Sequence, residues 1–290
     1  MEHPAYSQLR PVTQHAGVVL CDNPSYTALE GTNTWIIKGD EDGAAIVVDP
    51  GPDDEGHLNV VTAQSGGEVA LIVLTHRHDD HAAGALRLRQ LTGAPIRAFD
   101  PSYCSKDAEP LVDGEIISLD GISPTLEVAH TPGHTSDSVS FFVWASRPQE
   151  SELEGIVSGD TIAGRHTTLL SETDGDLEAY LKSLDMLEER GKNVPLLPGH
   201  GPDLPDVSEV ARKYIDRRHY RLDQIRQLWA EHGKDIELKV MIDEMYDDVD
   251  PVLRHAAEQS TRAALKYLDA HPEGYVTKVV SRSGSLRSSQ

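Results

Sequence analysis

The hexapeptide His76-Arg77-His78-Asp79-Asp80-His81, inside the stretch "LTHRHDDHAAG" (74–84), packs three histidines and two aspartates into six positions. Ionisable groups this dense repel one another or compete for solvent unless something compensates. A bound dication would do so, because imidazole and carboxylate are the ligands of borderline divalent metals such as Zn²⁺. Side chains two apart on an extended segment share a face, so His76 and His78 point the same way. Asp80 and His81 follow where the chain turns into a helix and approach the same point from another side. Three more residues of ligand type stand behind apolar runs: His134 in "HTPGHTSDS", Asp160 in "VSGDTI" and His200 in "LLPGHGP". Each has a glycine immediately before it, where backbone can approach a site closely. Together these seven residues suffice for two adjacent metals. The alternative, a solvated polar loop, does not account for partners that all follow strand-like runs, where sites in α/β proteins gather.

The elements that must hold these residues are read from periodicity and punctuation. "GVVL" (17–20), "NTWII" (33–37) and "AAIVVD" (44–49) predict strands separated by Gly, Pro, Asn and Asp. "EVALIVLT" (68–75) is almost wholly apolar, as expected of a strand covered on both faces. "DEGHLNVVTAQSGG" predicts a helix with an acidic first turn and terminal glycines, and "HAAGALRLRQLTG" predicts one helix ending at Gly93. Further strands are expected at "TLEVAHT", "DSVSFFVW", "GIVSGD" and "VPLLPG", with a helix at "DGDLEAYLKSLDMLEERG". This alternation implies an α/β body with sheets covered by helices. From Pro205 onward the strand signal fades. Helices are predicted at "PDVSEVARKYIDRRHYRLDQIRQLWAEHG", "IELKVMIDEMY" and "VLRHAAEQSTRAALKYLDAH", followed by a hairpin wing at "PEGYVTKVV". The low-complexity end, 281–290, is expected to be disordered.

Charge divides the chain at the same place. Residues 1–205 carry 12 basic and 33 acidic side chains, whereas residues 206–290 carry 14 and 15. A domain boundary is therefore expected near Pro205, with a catalytic body over 1–205 and a helical unit over 206–280. The net charge of -22 argues against broad attraction to nucleic acid or anionic membrane. No run approaches the roughly twenty apolar residues of a membrane span. The opening "MEHPAYSQLRPVTQ" lacks the basic and apolar regions of a signal peptide. Cys21 and Cys104 are far apart, as befits free thiols, so a reducing cytoplasm is expected.

The hexapeptide followed in order by His134, Asp160 and His200 resembles the metallo-β-lactamase-fold superfamily, over residues from about 15 to 205. That resemblance implies an αββα sandwich with a two-metal site on one edge of the sheets. It implies that His76, His78 and His134 hold the first metal, that Asp80, His81 and His200 hold the second, and that Asp160 bridges them. Asp49 in "VVDPG" looks like the family's strand-end motif and would brace the 76–81 loop rather than bind metal. True β-lactamases of this fold are exported, and many place a cysteine among the second-metal ligands. Asp160 at the bridging position resembles the thioester and phosphodiester hydrolases instead. "GTNTWII", "TTLL", "DLEAYLKSLDML", "PGHGP" and the helical tail together resemble the lactamase-beta-2-like family. In that family the tail is a small winged-helix-like domain beside the active site, and a member is associated with cutting single-stranded RNA. Glyoxalase II-type thioesterases share the metal motif and a helical tail, but their glutathione-binding residues are not matched here.

The expectation is a dinuclear metal-dependent hydrolase. Its nucleophile is a hydroxide bridging the metals, since metal binding lowers the pKa of water from about 15.7 toward about 7. Asp80 would orient that hydroxide and accept its proton. The nitrogen-rich first site favours Zn²⁺, while Mn²⁺ or Fe could fill the second. Lys213, Arg217 and Arg221 are four apart and line one helical face. They read either as an anion-binding wall or as a charged helix docked on the acidic body. Docking is favoured, because charge runs usually mark solvated or ion-paired faces. Trp35 and Tyr220 are the aromatic candidates for substrate contact. A small-molecule thioester or related ester is therefore the expected substrate, with single-stranded RNA the alternative. Readings from other classes are a mononuclear-iron sulfur dioxygenase and a non-catalytic nucleic-acid-binding protein. The sequence is silent on oligomeric state.

Overall fold

The computed structural model describes residues 5–39, 43–118, 124–148, 150–165, 167–247 and 253–272. Two sheets face each other. The first holds, in spatial order, β1 (Leu9–Pro11), β2 (Ala16–Leu20), β3 (Asn33–Ile37), β4 (Ala45–Val48), β5 (Val69–Val73) and β6 (Ile96–Arg97). Its strands pair antiparallel from β1 to β4 and parallel from β4 to β6. Parallel neighbours need crossovers. Helix α1 (Glu55–Gln64) supplies the first, and α2 (Asp79–Ala82) with α3 (Ala85–Thr92) supplies the second. The second sheet holds β7 (Ile116–Ile117), β8 (Thr125–His130), β9 (Val139–Trp144), β10 (Leu153–Gly159) and β11 (Leu196–Pro198). Only β10 and β11 pair parallel in it, joined through α4 (Leu177–Arg190).

Strand alternation decides which side chains meet. Trp35 and Ile37 of β3 join Val18, Ile46 and Val73 on the inner face, where Val128, Phe141, Val143 and Val157 of the second sheet meet them. Their neighbours Ile36, Val47 and Ile72 point outward under Leu58 and Val61 of α1 and Leu88 of α3. On the far side Phe142, Ile156 and Leu196 pack beneath Tyr180 and Leu184 of α4. The layers are therefore helix, sheet, sheet, helix: the αββα sandwich expected from the sequence.

Beyond the sandwich run α5 (Val207–His232), α6 (Leu238–Met245) and α7 (Arg254–Ala270), the three predicted tail helices. The Asp206 carboxylate starts α5 by accepting the Glu209 amide at 2.9 Å. Tyr214, Leu222 and Ile225 of α5, Met245 of α6 and Tyr267 of α7 share one apolar cluster with α4 and the second sheet. Charge changes at Pro205, but apolar packing continues across it. The expected wing at "PEGYVTKVV" and the tail at 281–290 fall outside the described residues, which end at 272. No helix among the described residues is long and apolar enough to cross a membrane.

Two local expectations need correction. β1, β6 and β7 were not anticipated, because two or three residues carry no readable period. The single helix expected over "HAAGALRLRQLTG" is two, broken at Gly84. There the Gly84 amide leaves the helical ladder and donates to Gly51 O at 2.8 Å, while Asp80 O accepts the Thr32 hydroxyl at 2.9 Å. That break sends α2 toward the sheet edge and lets α3 pack beneath it.

Candidate metal centre

Strand ends deliver the candidate residues to one rim of the sandwich. β5 ends at Val73, and the chain beyond it carries His76 and His78 before α2 presents Asp80 and His81. His134 lies in the β8–β9 connection, Asp160 directly follows β10, and His200 lies just past β11. The structure brings all seven together. His76 and His134 each set Nε2 3.0 Å from Nδ1 of His78. In a second group, His81 Nε2 stands 3.1 Å from His200 Nε2, which stands 3.2 Å from Asp80 Oδ2.

These short separations are not ordinary hydrogen bonds, because most of the imidazole protons are committed on the other ring nitrogen. His134 Nδ1–H donates to Leu169 O at 2.8 Å and His200 Nδ1–H to Gly31 O at 3.1 Å. His81 Nδ1–H donates to Asp49 Oδ2 at 2.9 Å. His76 Nδ1–H donates to Thr75 Oγ1 at 3.0 Å, since that hydroxyl gives its own proton to Asp49 Oδ2 at 2.6 Å. A neutral imidazole protonated on Nδ1 turns a lone pair outward from Nε2. Lone pairs therefore converge on two points. Burial pushes the His76 imidazole well below its ordinary pKa, which keeps it a neutral donor. Two ligands each about 2.0–2.1 Å from a tetrahedral zinc lie about 3.3 Å apart. The observed spacings suit ligands around a cation.

Asp160 stands between the groups. Its Oδ1 is 3.5 Å from both His81 Nε2 and His200 Nε2, and its Oδ2 is 3.7 Å from His134 Nε2. Oδ1 is buried without a hydrogen-bond partner among the described residues. A buried carboxylate oxygen left unpaired is costly, and a cation on each side removes that cost. The donor set fits two divalent ions. The glycines before these residues make the approach possible. Gly159 adopts φ +49°, and a Cβ there would lie 2.4 Å from Thr75 Oγ1.

Asp49 braces the cluster from behind. It is buried in the left-handed region at φ +52° and accepts the Thr75 amide on Oδ1 at 2.7 Å. Oδ2 accepts both the Thr75 hydroxyl and His81. Asp49 lies close enough to His76 and His81 to form a third ligand group with them, but every donor it faces is already satisfied by it. Thr34 and His57, which were not singled out from the sequence, continue this bracing. The Thr34 hydroxyl donates to Asp49 O at 2.8 Å and accepts from His57 Nε2 at 2.8 Å. We expect Asp49→Ala to weaken metal affinity about 10–100-fold, as losses behind a ligand do. Orphaning three buried donors, the Thr75 amide and hydroxyl and the His81 ring N–H, should also lower stability by about 3–9 kcal/mol. Competition with a chromophoric chelator and denaturant unfolding measure the two effects; unchanged values in both would remove Asp49 from this role. Arg77, inside the hexapeptide, faces away and ties the loop to Asp137 at 3.2 Å and to Asp174.

The centre opens into a cavity of about 590 Å³ between the sandwich rim and the tail helices. His78, Asp80, His134, Asp160 and His200 line one side, and Arg217, Arg218 and Arg221 line the other. The substrate candidates divide here. Trp35 is no substrate contact: it is buried in the inter-sheet core, with its indole N–H on Pro198 O at 3.0 Å. Tyr220 is exposed, and its hydroxyl takes Gln224 Nε2 at 3.2 Å outside the cavity lining. Lys213 pairs with Glu209 at 3.8 Å on the solvent side. The expectation that the whole basic face docks on the acidic body is also corrected. α5 docks through apolar residues, and Arg217 and Arg221 face the cavity instead.

Comparison with known proteins adds the following. The family model of the Metallo-beta-lactamase superfamily matches residues 28–200. A "Beta-lactamase-like protein 2 homolog" of Caenorhabditis elegans is 29% identical over 281 residues, covering 91% of this chain and 88% of that protein. An "Atrochrysone carboxyl ACP thioesterase" of Aspergillus fumigatus is 29% identical over 214 residues, covering 71% of this chain but only 62% of that relative's length. A beta-lactamase domain protein from Burkholderia ambifaria superposes with a TM-score of 0.76 at 18% identity, covering 93% of this chain and 90% of that one.

Proposed function

This chain belongs to the metallo-beta-lactamase superfamily, and from that premise we propose that it is a dinuclear metal-dependent hydrolase of a small-molecule thioester or related ester. The observation that carries the reading is Asp160, set between two donor groups with a buried oxygen that has no hydrogen-bond partner among the described residues. His76, His78 and His134 would hold one ion and Asp80, His81 and His200 the other. Two divalent cations there would polarise the scissile carbonyl and lower the pKa of a water toward about 7. Asp80, half-buried and facing the cavity, would orient that water and accept its proton. An ion held beside Asp80 Oδ2, which lies 3.2 Å from His200 Nε2 and 3.9 Å from His81 Nε2, would keep this carboxylate ionised.

The leaving group favours a thioester. Among the described residues lining the cavity, the proton donors outside the candidate ligand set are the weakly acidic Tyr26 and Tyr246 hydroxyls, with no histidine, lysine or carboxylic acid beside them. A thiolate with a pKa near 8.5 departs without a proton donor, whereas an alkoxide needs one. Apolar lining from Leu169, Leu253 and Ala256 suits an acyl chain and limits water. The relative named as a thioesterase supports the same class. A mononuclear-iron dioxygenase would leave the Asp80, His81 and His200 group without a purpose. The free thiols Cys21 and Cys104 suit a cytoplasmic setting.

Elemental analysis should find about two metals per chain, with zinc favoured. Acyl-thioesters should be the preferred substrates in a panel with lactones, phosphodiesters and single-stranded RNA. No transition metal after reconstitution would sink the proposal. One iron per chain would move it to the dioxygenase, and faster turnover of RNA would move it to an endoribonuclease.

A further inference from the structure

Outside the cavity, the cations of α5 have carboxylate partners. Arg212 pairs with Glu188 at 2.6 Å, Lys213 with Glu209 at 3.8 Å and Arg226 with Asp223 at 3.5 Å. Those facing the cavity differ. Arg217 is exposed and has no hydrogen bond or ion pair among the described residues. Among the described residues Arg221 is held by neutral groups: Gln224 Oε1 at 2.7 Å, the Met245 carbonyl, and the Tyr246 and Tyr220 rings, whose centroids lie 4.1 and 5.9 Å from its guanidinium carbon. Arg218 is buried, donates to Thr168 O and leaves its Nε unpartnered. In a chain of net charge -22, three adjacent guanidiniums without a carboxylate are conspicuous. Like charges on neighbouring positions of one helix repel, and a recessed, partly apolar wall strengthens that repulsion. The carboxylates among the described lining residues are Asp80 and Asp160, both of the candidate metal ligand set.

We infer that Arg217, Arg218 and Arg221 form an oxyanion subsite, so that the molecule bound beside the metal centre carries a carboxylate or phosphate remote from its scissile bond. Guanidinium forks match the paired oxygens of either group. Arg218 is linked to the centre itself, because the Thr168 hydroxyl donates to Asp160 O at 2.8 Å. The subsite rests on the hydrolase reading only in naming its ligand a substrate.

Three probes separate the sources of the anion: S-succinyl-N-acetylcysteamine, with an acyl carboxylate; S-butyryl-4′-phosphopantetheine, with a phosphate on the thiol arm; and neutral S-butyryl-N-acetylcysteamine. The metal-reconstituted protein should prefer one or both anionic probes. In Arg217→Gln/Arg221→Gln the anionic-to-neutral ratio of kcat/KM should fall about 10–100-fold, chiefly through KM. Arg212→Gln, matched in charge to Arg217→Gln alone, removes one charge from the outer face of α5 and should leave the ratio unchanged. Calorimetric titration with the matching thioethers, which cannot be hydrolysed, gives a reading independent of turnover. Anionic thioethers should bind more tightly than the neutral one, and that advantage should vanish in the double variant. If the double variant fails to fold, Arg217→Gln alone carries the test, since Arg217 is exposed and has no hydrogen bond or ion pair among the described residues. Preferential binding without turnover would keep the subsite and sink the hydrolase reading. No preference for anionic thioethers, or a preference that survives both substitutions, overturns the subsite. So does binding of a single-stranded RNA oligonucleotide that is lost in the variant while the thioethers bind equally.

Discussion

Asp160→Ala protein is expected to fold, to hold at most about one metal, and to show no thioesterase turnover. The carboxylate sets one oxygen toward each half of the centre, Oδ1 at 3.5 Å from His81 and His200 and Oδ2 at 3.7 Å from His134. Without it nothing fixes the spacing of about 3.5–4 Å that lets two metals act on one substrate. The loss should exceed the 10–100-fold typical of residues that only support a ligand. Chelator-treated wild type should be equally inactive, and it should recover with zinc where the variant does not. Stability separates this from unfolding. In metal-free protein the substitution removes a poorly satisfied buried group, so the melting temperature should change little. In metal-loaded protein it should fall, because binding free energy adds to folding free energy. Normal turnover with two bound metals in the variant would show that Asp160 bridges nothing.

The convergence of the candidate residues was legible in the sequence because ligand-type side chains behind apolar runs leave local marks. An apolar run, then a glycine, then His134, Asp160 or His200, places each residue at a strand end without knowledge of the strand order. Bracing by Asp49 came from the resemblance of "VVDPG" to the family's strand-end motif, and Thr34 and His57 had no such signal. They act on one another across 23 positions, and a lone threonine and histidine carry no spacing signal. Trp35 was misread although the pattern was present. It alternates with Ile36 and shares a face with Ile37, and two residues on the inner face of a central strand belong to the core.

The arginine wall was half legible. Positions four apart on a helix with 3.6 residues per turn drift by about 40°, so Lys213 and Arg221 differ by about 80°. That drift carries Lys213 to the solvent side while Arg217 and Arg221 reach the cavity. Arg218 lies off the stripe altogether and was not singled out. The choice between docking and ligand binding depended on which carboxylates surround each guanidinium, and that is a property of the folded molecule alone.

Gly199→Ala is the more searching test of the centre, because it alters the site without touching a donor atom. A Cβ at Gly199 would lie 2.7 Å from Cε1 of His81 and 2.8 Å from Oδ1 of Asp160. The backbone cannot back away: the Gly199 amide donates to Gly159 O at 3.0 Å, and its carbonyl accepts the Asn33 amide at 2.8 Å. His81 is pinned from behind by Asp49. The strain must therefore appear as a displacement of His81 or Asp160 by roughly 0.5 Å, the limit of tolerance for a preorganised site. Overpacking should cost about 1–3 kcal/mol of stability, small enough to leave a folded protein. Turnover should fall about 10²-fold, as misplacement on this scale does. The ion held by Asp80, His81 and His200 should be lost first in a chelator titration, while the group of His76, His78 and His134 keeps its own. A variant that retains full activity and releases its metals in the same order and at the same chelator concentrations as the wild type would mean that His81 and Asp160 do not share an ion beside Gly199.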